Sequence, residues 1–260
     1  MIGRRTDAGI QALIRLACAL AVPVAGAATF SVTPLKIELD ARHRAAILTL
    51  GNGGDEPLRV QVRSMHWQMG PDGQWQLTPS DDLIVTPQLI EVAPGQSGQL
   101  RIGSLLETGA SEASYRLLID ELPNLSGGDS LQSPQIKMLT QVSLPVFLEP
   151  ARVTRVPTIN SATLEHGVVL AAIGNSGTQR LDPQNIKVTV SDSTGHVLDQ
   201  TDQKTNYVLP GSTWFLHMKL SANDCQRAAS ISVSWPDAAK TSLPQPISAG
   251  AEACAGINSR

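Results

Sequence analysis

The sequence predicts an all-β protein built as two β-sandwiches in series, and three observations lead there. Short runs with apolar residues at every second position recur along the chain, bounded by Gly, Pro, Asn and Asp at intervals of about 8–12 residues. No stretch of useful length carries helical periodicity bracketed by caps. The 260 residues are 42% hydrophobic but only 3% aromatic, so the cores must be built from Val, Leu, Ile and Ala. That length is enough for two ordinary domains, each with a core of its own.

Taken in order, residues 1–27 read as an export signal. Arg4, Arg5 and Arg15 give a basic start, Leu16 to Ala25 an apolar run too short to span a bilayer, and Ala25-Gly26-Ala27 a small-x-small cleavage pattern. Arg15 disfavours a lipid-attachment reading around Cys18. Phe30 to Leu39 reads as extended, then Ala46–Leu50, then a turn at Asn52-Gly53-Gly54-Asp55 whose residues tolerate positive φ. Leu58–Trp67 alternates with period two, so one face is buried and the other wet. Pro71-Asp72-Gly73 marks another turn. Ile84-Val85, Leu89–Val92, Gly98–Ile102 and Tyr115–Ile119 follow as strands. Asn124 to Ser133, rich in Ser and Gly, reads as a mobile loop, and Ile136 to Leu148 as one long extended run ending at Pro150. The domain boundary is placed there, giving a first domain over 28–150 and a second over 151–260. In the second, Val153–Ile159, Gly167–Ile173, Ile186–Val190, His196–Asp199, Trp214–Leu220 and Ile231–Trp235 are the expected strands, and the tail after Trp235 reads as loop.

Charge and motifs exclude more than they assign. The formal net charge is −3 with no basic block, which argues against a nucleic-acid surface. No later apolar run reaches membrane-spanning length. Five scattered histidines, no Gly-x-Ser-x-Gly elbow and no phosphate-binding Gly-rich loop leave no catalytic constellation, no metal site and no cofactor to expect. After signal removal Cys225 and Cys254 remain, an even pair in an oxidising compartment. They read as one disulfide, with two free thiols or a metal pair as the alternative.

Five segments together resemble the periplasmic pilus or fimbrial chaperones of the chaperone–usher pathway: Val32–Leu39, Leu50–Val60, Val92–Arg101, Tyr115–Pro123 with its Glu-Leu-Pro ending, and Val142–Pro150. The resemblance covers roughly residues 29 to 236 and leans to the archaic, spore-coat-U-associated branch. It implies two immunoglobulin-like domains, and partners that are pilus subunits and an outer-membrane usher. It leaves open whether the free chaperone self-associates, in the absence of a subunit, to cover its own edge. The mechanism it implies is strand donation: the chaperone completes a subunit that lacks its last strand, because an open apolar edge is a template for aggregation. Ile136, Met138, Val142, Leu144 and Val146 share one parity, interrupted only by Thr140. Ile136, Met138 and Thr140 to Val142 are the expected donors, with Leu144 and Val146 packing at home.

The same resemblance implies a basic anchor for the subunit's C-terminal carboxylate. Lys36 matches the family's first-strand cation; Arg101, Lys137 and Arg116 are candidates for the second. The sequence departs from the best-studied branch at three places. Leu118 stands where that branch has Asn, Pro145 where it has the anchoring Lys, and Glu149 where it has a basic residue bridging the domains to a partner at Glu121. Arg152 is the substitute expected for that bridge. The competing function class is an adhesive or structural module of two sandwiches; a copper-binding sandwich would need a Met/His cluster that the five dispersed Met do not make.

Overall fold

The computed structural model describes residues 30–123, 138–236, 244–250 and 252–255. The expected signal peptide, the Asn124–Ser133 loop, Ile136 and Lys137 lie outside the described residues. The first half contributes β1 (Phe30–Thr33), β2 (Ile37–Leu39), β3 (Ala45–Asn52), β4 (Leu58–Met69), β5 (Trp75–Pro79), β6 (Leu83–Thr86), β7 (Leu89–Val92), β8 (Ser97–Ser104), β9 (Ala113–Leu122) and β10 (Gln141–Leu148). One sheet runs β1-β3-β8-β6; the other runs β2-β10-β9-β4-β5, with β7 also paired to β4. Leu48, Leu50, Val60, Val62, Leu100, Ile102, Leu117, Ile119, Leu144 and Val146 close the space between them.

The second half contributes β11 (Pro157–Glu165), β12 (Val168–Asn175), β13 (Asn185–Ser191), β14 (Val197–Lys204), β15 (Thr213–Lys219), α1 (Ala222–Arg227), β16 (Ser230–Ser234), β17 (Gln245–Pro246) and β18 (Ser248–Ala249). Its sheets run β15-β12-β11-β18 and β14-β13-β16-β17 around a second core that includes Val169, Val188, Leu216, Ile231 and Trp235. The fold class is therefore as expected: two immunoglobulin-like sandwiches in series.

Four local readings are corrected. The extended run from Phe30 to Leu39 is two strands in different sheets. β1 pairs with β3 and β2 with β10; Pro34 removes a ladder donor where the chain crosses between them. β5 had no strong period-two signal, yet it pairs with β4 from Met65↔Pro79 to Met69↔Trp75. Residues 153–156 are a linker rather than the start of β11. It is pinned by Thr178, whose backbone N–H donates to the Thr154 carbonyl at 2.9 Å, while the Thr154 N–H donates to Thr178 Oγ1 at 2.9 Å. Gly177 has to be glycine here, because a Cβ would stand 2.3 Å from the Thr154 carbonyl oxygen. The tail is not simply loop: β17 and β18 add a short strand to each sheet of the second sandwich, and α1 begins at an Ser221 N-cap that accepts from the Asp224 N–H.

Cys225, on α1, bonds Cys254 with an Sγ–Sγ distance of 2.00 Å, the pairing the sequence suggests. Beside the bridge, the His166 and Gly167 N–H groups donate to the carbonyls of Glu252 and Ala253, so the tail closes over the β11–β12 hairpin.

Candidate functional site

β10 pairs fully with β9 on one side, from Gln141↔Asp120 to Leu148↔Ala113. On the other side β2 covers it only at Val146, Phe147 and Leu148. Upstream of Pro145, no strand among the described residues covers that side. An antiparallel ladder alternates, and the Glu121 N–H donates to the Thr140 carbonyl, so even-numbered residues of β10 bond to β9. Odd-numbered residues turn their backbone groups to the other edge, as Glu149 does in donating to the Leu39 carbonyl at 2.8 Å. Gln141 and Ser143, both exposed, thus turn N–H and C=O to that edge, where among the described residues Arg116 Nη1 approaches the Ser143 carbonyl at 3.5 Å.

The side chains along this segment grade from wet to dry. Met138 is 87% exposed and Leu139 47%. Thr140 is half-buried and its N–H is held by the Glu121 carboxylate at 3.0 Å. Val142 is half-buried against the first core, whereas Leu144 and Val146 are fully inside it.

Odd-numbered β10 residues and even-numbered β9 residues face the second sandwich. There Trp67, Phe147 and Leu209 form a small buried cluster with Met69, Leu77 and Tyr207. Two arginines lie on it, and they differ in one decisive respect. Arg180, 1% exposed, stacks at 3.7 Å on Phe147 and is neutralised. Its Nη1 donates to the buried Glu112 carboxylate at 2.5 Å, its Nη2 to Glu38, and its Nε to Asp182 at 3.1 Å. Burial alone would pull Arg180 down, but Glu112, Asp182 and Glu38 hold it above the usual guanidinium value. Burial pushes Glu112 up to about 7 against the pull of Arg180.

Arg116 has no such partner. Its guanidinium lies 4.0 Å from the centre of Trp67, 4.2 Å from Trp75 and 5.8 Å from Tyr207. Among the described residues it makes no ion pair; Nη1 reaches only the Ser143 carbonyl at 3.5 Å, and Nε has no acceptor. Burial lowers it to about 10, so it remains a cation at neutral pH, supported by aromatic faces and not by a carboxylate. Among the described residues Arg116 is thus a buried cation without a counter-ion, at the end of the β10 edge that β2 leaves open. Lys36 stands at the same end, before β2, but its Nζ is already bound to Glu38 at 2.9 Å and lies 3.8 Å from Asp182.

Residues 29–154 match the family described as pili and flagellar-assembly chaperone, PapD N-terminal domain. The first sandwich belongs to that family. Three solved structures have the same fold. A chain of the CsuC–CsuE chaperone–tip adhesion subunit pre-assembly complex, from the archaic Csu pili of Acinetobacter baumannii, is 18% identical, with a TM-score of 0.55 over 86% of this chain and 100% of that one. A chain of a chaperone–tip adhesin complex of CFA/I fimbriae biogenesis is 11% identical, with a TM-score of 0.56 over 84% and 100%. The class 5 fimbriae chaperone CfaA is 13% identical, with a TM-score of 0.55 over 84% and 98%. Comparison with the curated proteins finds no match.

Set against the family pattern, the sequence candidates separate. Arg116 and Lys36 converge on the end of the β10 edge. Arg101 does not: it is exposed on β8, in the opposite sheet, between Ile47 and Thr86. Lys137 and Ile136 lie outside the described residues. Arg152 does not bridge the domains. It is exposed, and among the described residues only its backbone carbonyl is engaged, by Thr178. The bridge is Arg180 with Glu112 and Glu38, while Glu149 accepts from Gln179 at 2.9 Å. Sequence reasoning missed Arg180 and Glu112. The one signal available was Glu149 itself: a carboxylate in the bridging position calls for its polar partners on the other domain, and Gln179-Arg180 lies in the turn that faces it.

Proposed function

We propose that this protein is a periplasmic chaperone of the archaic chaperone–usher type, which donates the edge of β10 to an incomplete pilus or fimbrial subunit and hands it to an outer-membrane usher. The observation that carries this reading is the β10 edge, open upstream of Pro145 among the described residues, ending at the buried Arg116, which makes no ion pair among them. The export signal over residues 1–27 and the division of the mature chain at 150/151 belong to the same reading.

The chemistry follows from the two halves of the site. Gln141 and Ser143 supply backbone donors and acceptors for a ladder. Upstream, Met138 and Thr140 supply side chains to the subunit's groove; burying a side chain like that of Met138 stabilises the complex by about 1.5–3 kcal/mol. Because Val142, Leu144 and Val146 are committed to the chaperone's own core, the donated segment is short, which keeps it exchangeable. A terminal carboxylate beside Arg116 makes a charge-assisted bond in a desolvated place and fixes register, since a slip of one residue would turn the apolar side chains outward. Lys36, half-exposed and already paired, adds a second positive field.

Co-expression in a periplasm with each fibre subunit of the same operon, followed by pull-down and mass measurement, tests this. A one-to-one complex is expected, lost in M138E and in R116M. A folded, exported protein that captures no subunit would contradict the reading and favour a two-domain adhesive module.

A further inference from the structure

The residue that closes the uncovered edge is a proline, and its place in the alternation has a consequence. On β10 the backbone groups that face away from β9 belong to Gln141, Ser143, residue 145 and Phe147. From Val146 on, β2 takes that side; before it, the available N–H donors are those of Gln141 and Ser143, because Pro145 has none. β2 runs parallel to β10, and a partner strand laid end to end with it would also run parallel. In a parallel pair the carbonyl of a residue opposite position 144 points to the N–H of position 145. Here it would point to the proline ring nitrogen and stay unbonded in a place where Pro145 itself is buried. A carboxylate in that place is not short of donors: Arg116 Nη1 lies 3.5 Å from the neighbouring Ser143 carbonyl, and Lys36 precedes the first residue of β2.

We propose that Pro145 makes the site selective for a strand that ends there, a free chain terminus, over a strand that passes through. This rests on the strand-donation reading above. Arg116 rewards the carboxylate and Pro145 penalises an internal carbonyl, so the pair measures the length of the partner strand. Pro145 is in this sense a positioning residue: it offers nothing to the correct partner and withholds a donor from the wrong one.

The test uses the full-length exported protein and the subunit that co-purifies with it, with its native C-terminus and with a Gly-Ser dipeptide added. Dissociation constants are measured for wild type, P145A and P145S, the last two each restoring an N–H; circular dichroism and melting temperature report whether they fold. Wild type should bind the extended subunit about tenfold or more weakly than the native one. In P145A and P145S that ratio should fall to about threefold or less, a change in selectivity that a packing defect, weakening both subunits alike, does not produce. The same ratio in variants and wild type, or a wild type indifferent to the extension, would overturn the role of Pro145 while leaving strand donation intact. Failure to bind even the native subunit would overturn both.

Discussion

Breaking the arginine cluster between the sandwiches should be costly, and in a pH-dependent way. In R180M the replacement keeps the apolar stem over Phe147 but removes the guanidinium. Glu38 and Asp182 have exposed side-chain surface, 41% and 28%, and can turn to water; Glu112, with none, cannot. Removing one partner of a buried pair costs about 3–5 kcal/mol because it strands the other charge. Glu112 limits the loss by taking up a proton. In the native chain its folded pKa, about 7 with Arg180 pulling it down, is already above its ordinary 4.5, and losing Arg180 moves it higher, so its neutral form is favoured by folding. The stability this group contributes is complete below about 4.5 and is lost as pH rises through about 7. Urea unfolding followed by calorimetry and Trp fluorescence should therefore give R180M a large deficit at pH 8 and a smaller one at pH 5.5. The double variant R180M/E112L, which leaves no stranded carboxylate, should be more stable than R180M alone at pH 8. A deficit below about 1 kcal/mol at pH 8, or one that does not change with pH, would refute the claim that Glu112 and Arg180 hold the domains as a buried ion pair.

Other perturbations separate the exposed segment before β10 from the strand's buried part. L144A should cost about 2–5 kcal/mol in chemical unfolding, because Leu144 is 1% exposed in the first core, whereas M138A should change stability by no more than about 0.5 kcal/mol. Replacing Cys225 and Cys254 by Ser should lower stability by about 2–4 kcal/mol and make the tail around β17 and β18 sensitive to protease, read by unfolding and limited digestion. G177A should lower the melting temperature, since the added methyl meets the Thr154 carbonyl at 2.3 Å and the linker backbone must move; an unchanged melt would refute the pinned linker.

How much of this could be read from the chain alone depends on the range of the interaction. The sandwiches were legible because burial alternates along each strand: Leu58, Val60 and Val62 are inside while Gln61 and Arg63 are out, as the period-two pattern requires. The burial gradient leading into β10 was legible for the same reason, with Leu144 and Val146 inside and Met138 out. β5 was not, because an edge strand buries little and its Trp-Gln-Leu-Thr-Pro carries no strong alternation. α1 was missed because six residues held by one cap and a disulfide need no periodic face. The cationic site was legible only in part. Lys36 and Arg116 could be nominated by residue type, but that Lys36 is paired with Glu38, that Arg101 lies in the opposite sheet, and that Arg116 stands opposite Pro145 depend on pairings between distant strands and side chains. Arg180 depends on contacts across 142 residues of sequence, which no local pattern encodes.

The measurement that tests the central claim most directly is residue-resolved amide hydrogen exchange across β10, in the free protein and in its complex with the captured subunit. The alternation predicts that the Gln141 and Ser143 amides exchange fast in the free protein and slow by at least about tenfold in the complex. The Val142 and Leu144 amides, already bonded to β9, should be protected in both. A stable one-to-one complex in which Gln141 and Ser143 stay as fast as in the free protein would mean that the subunit binds elsewhere, and that the open edge of β10 is not the donated strand.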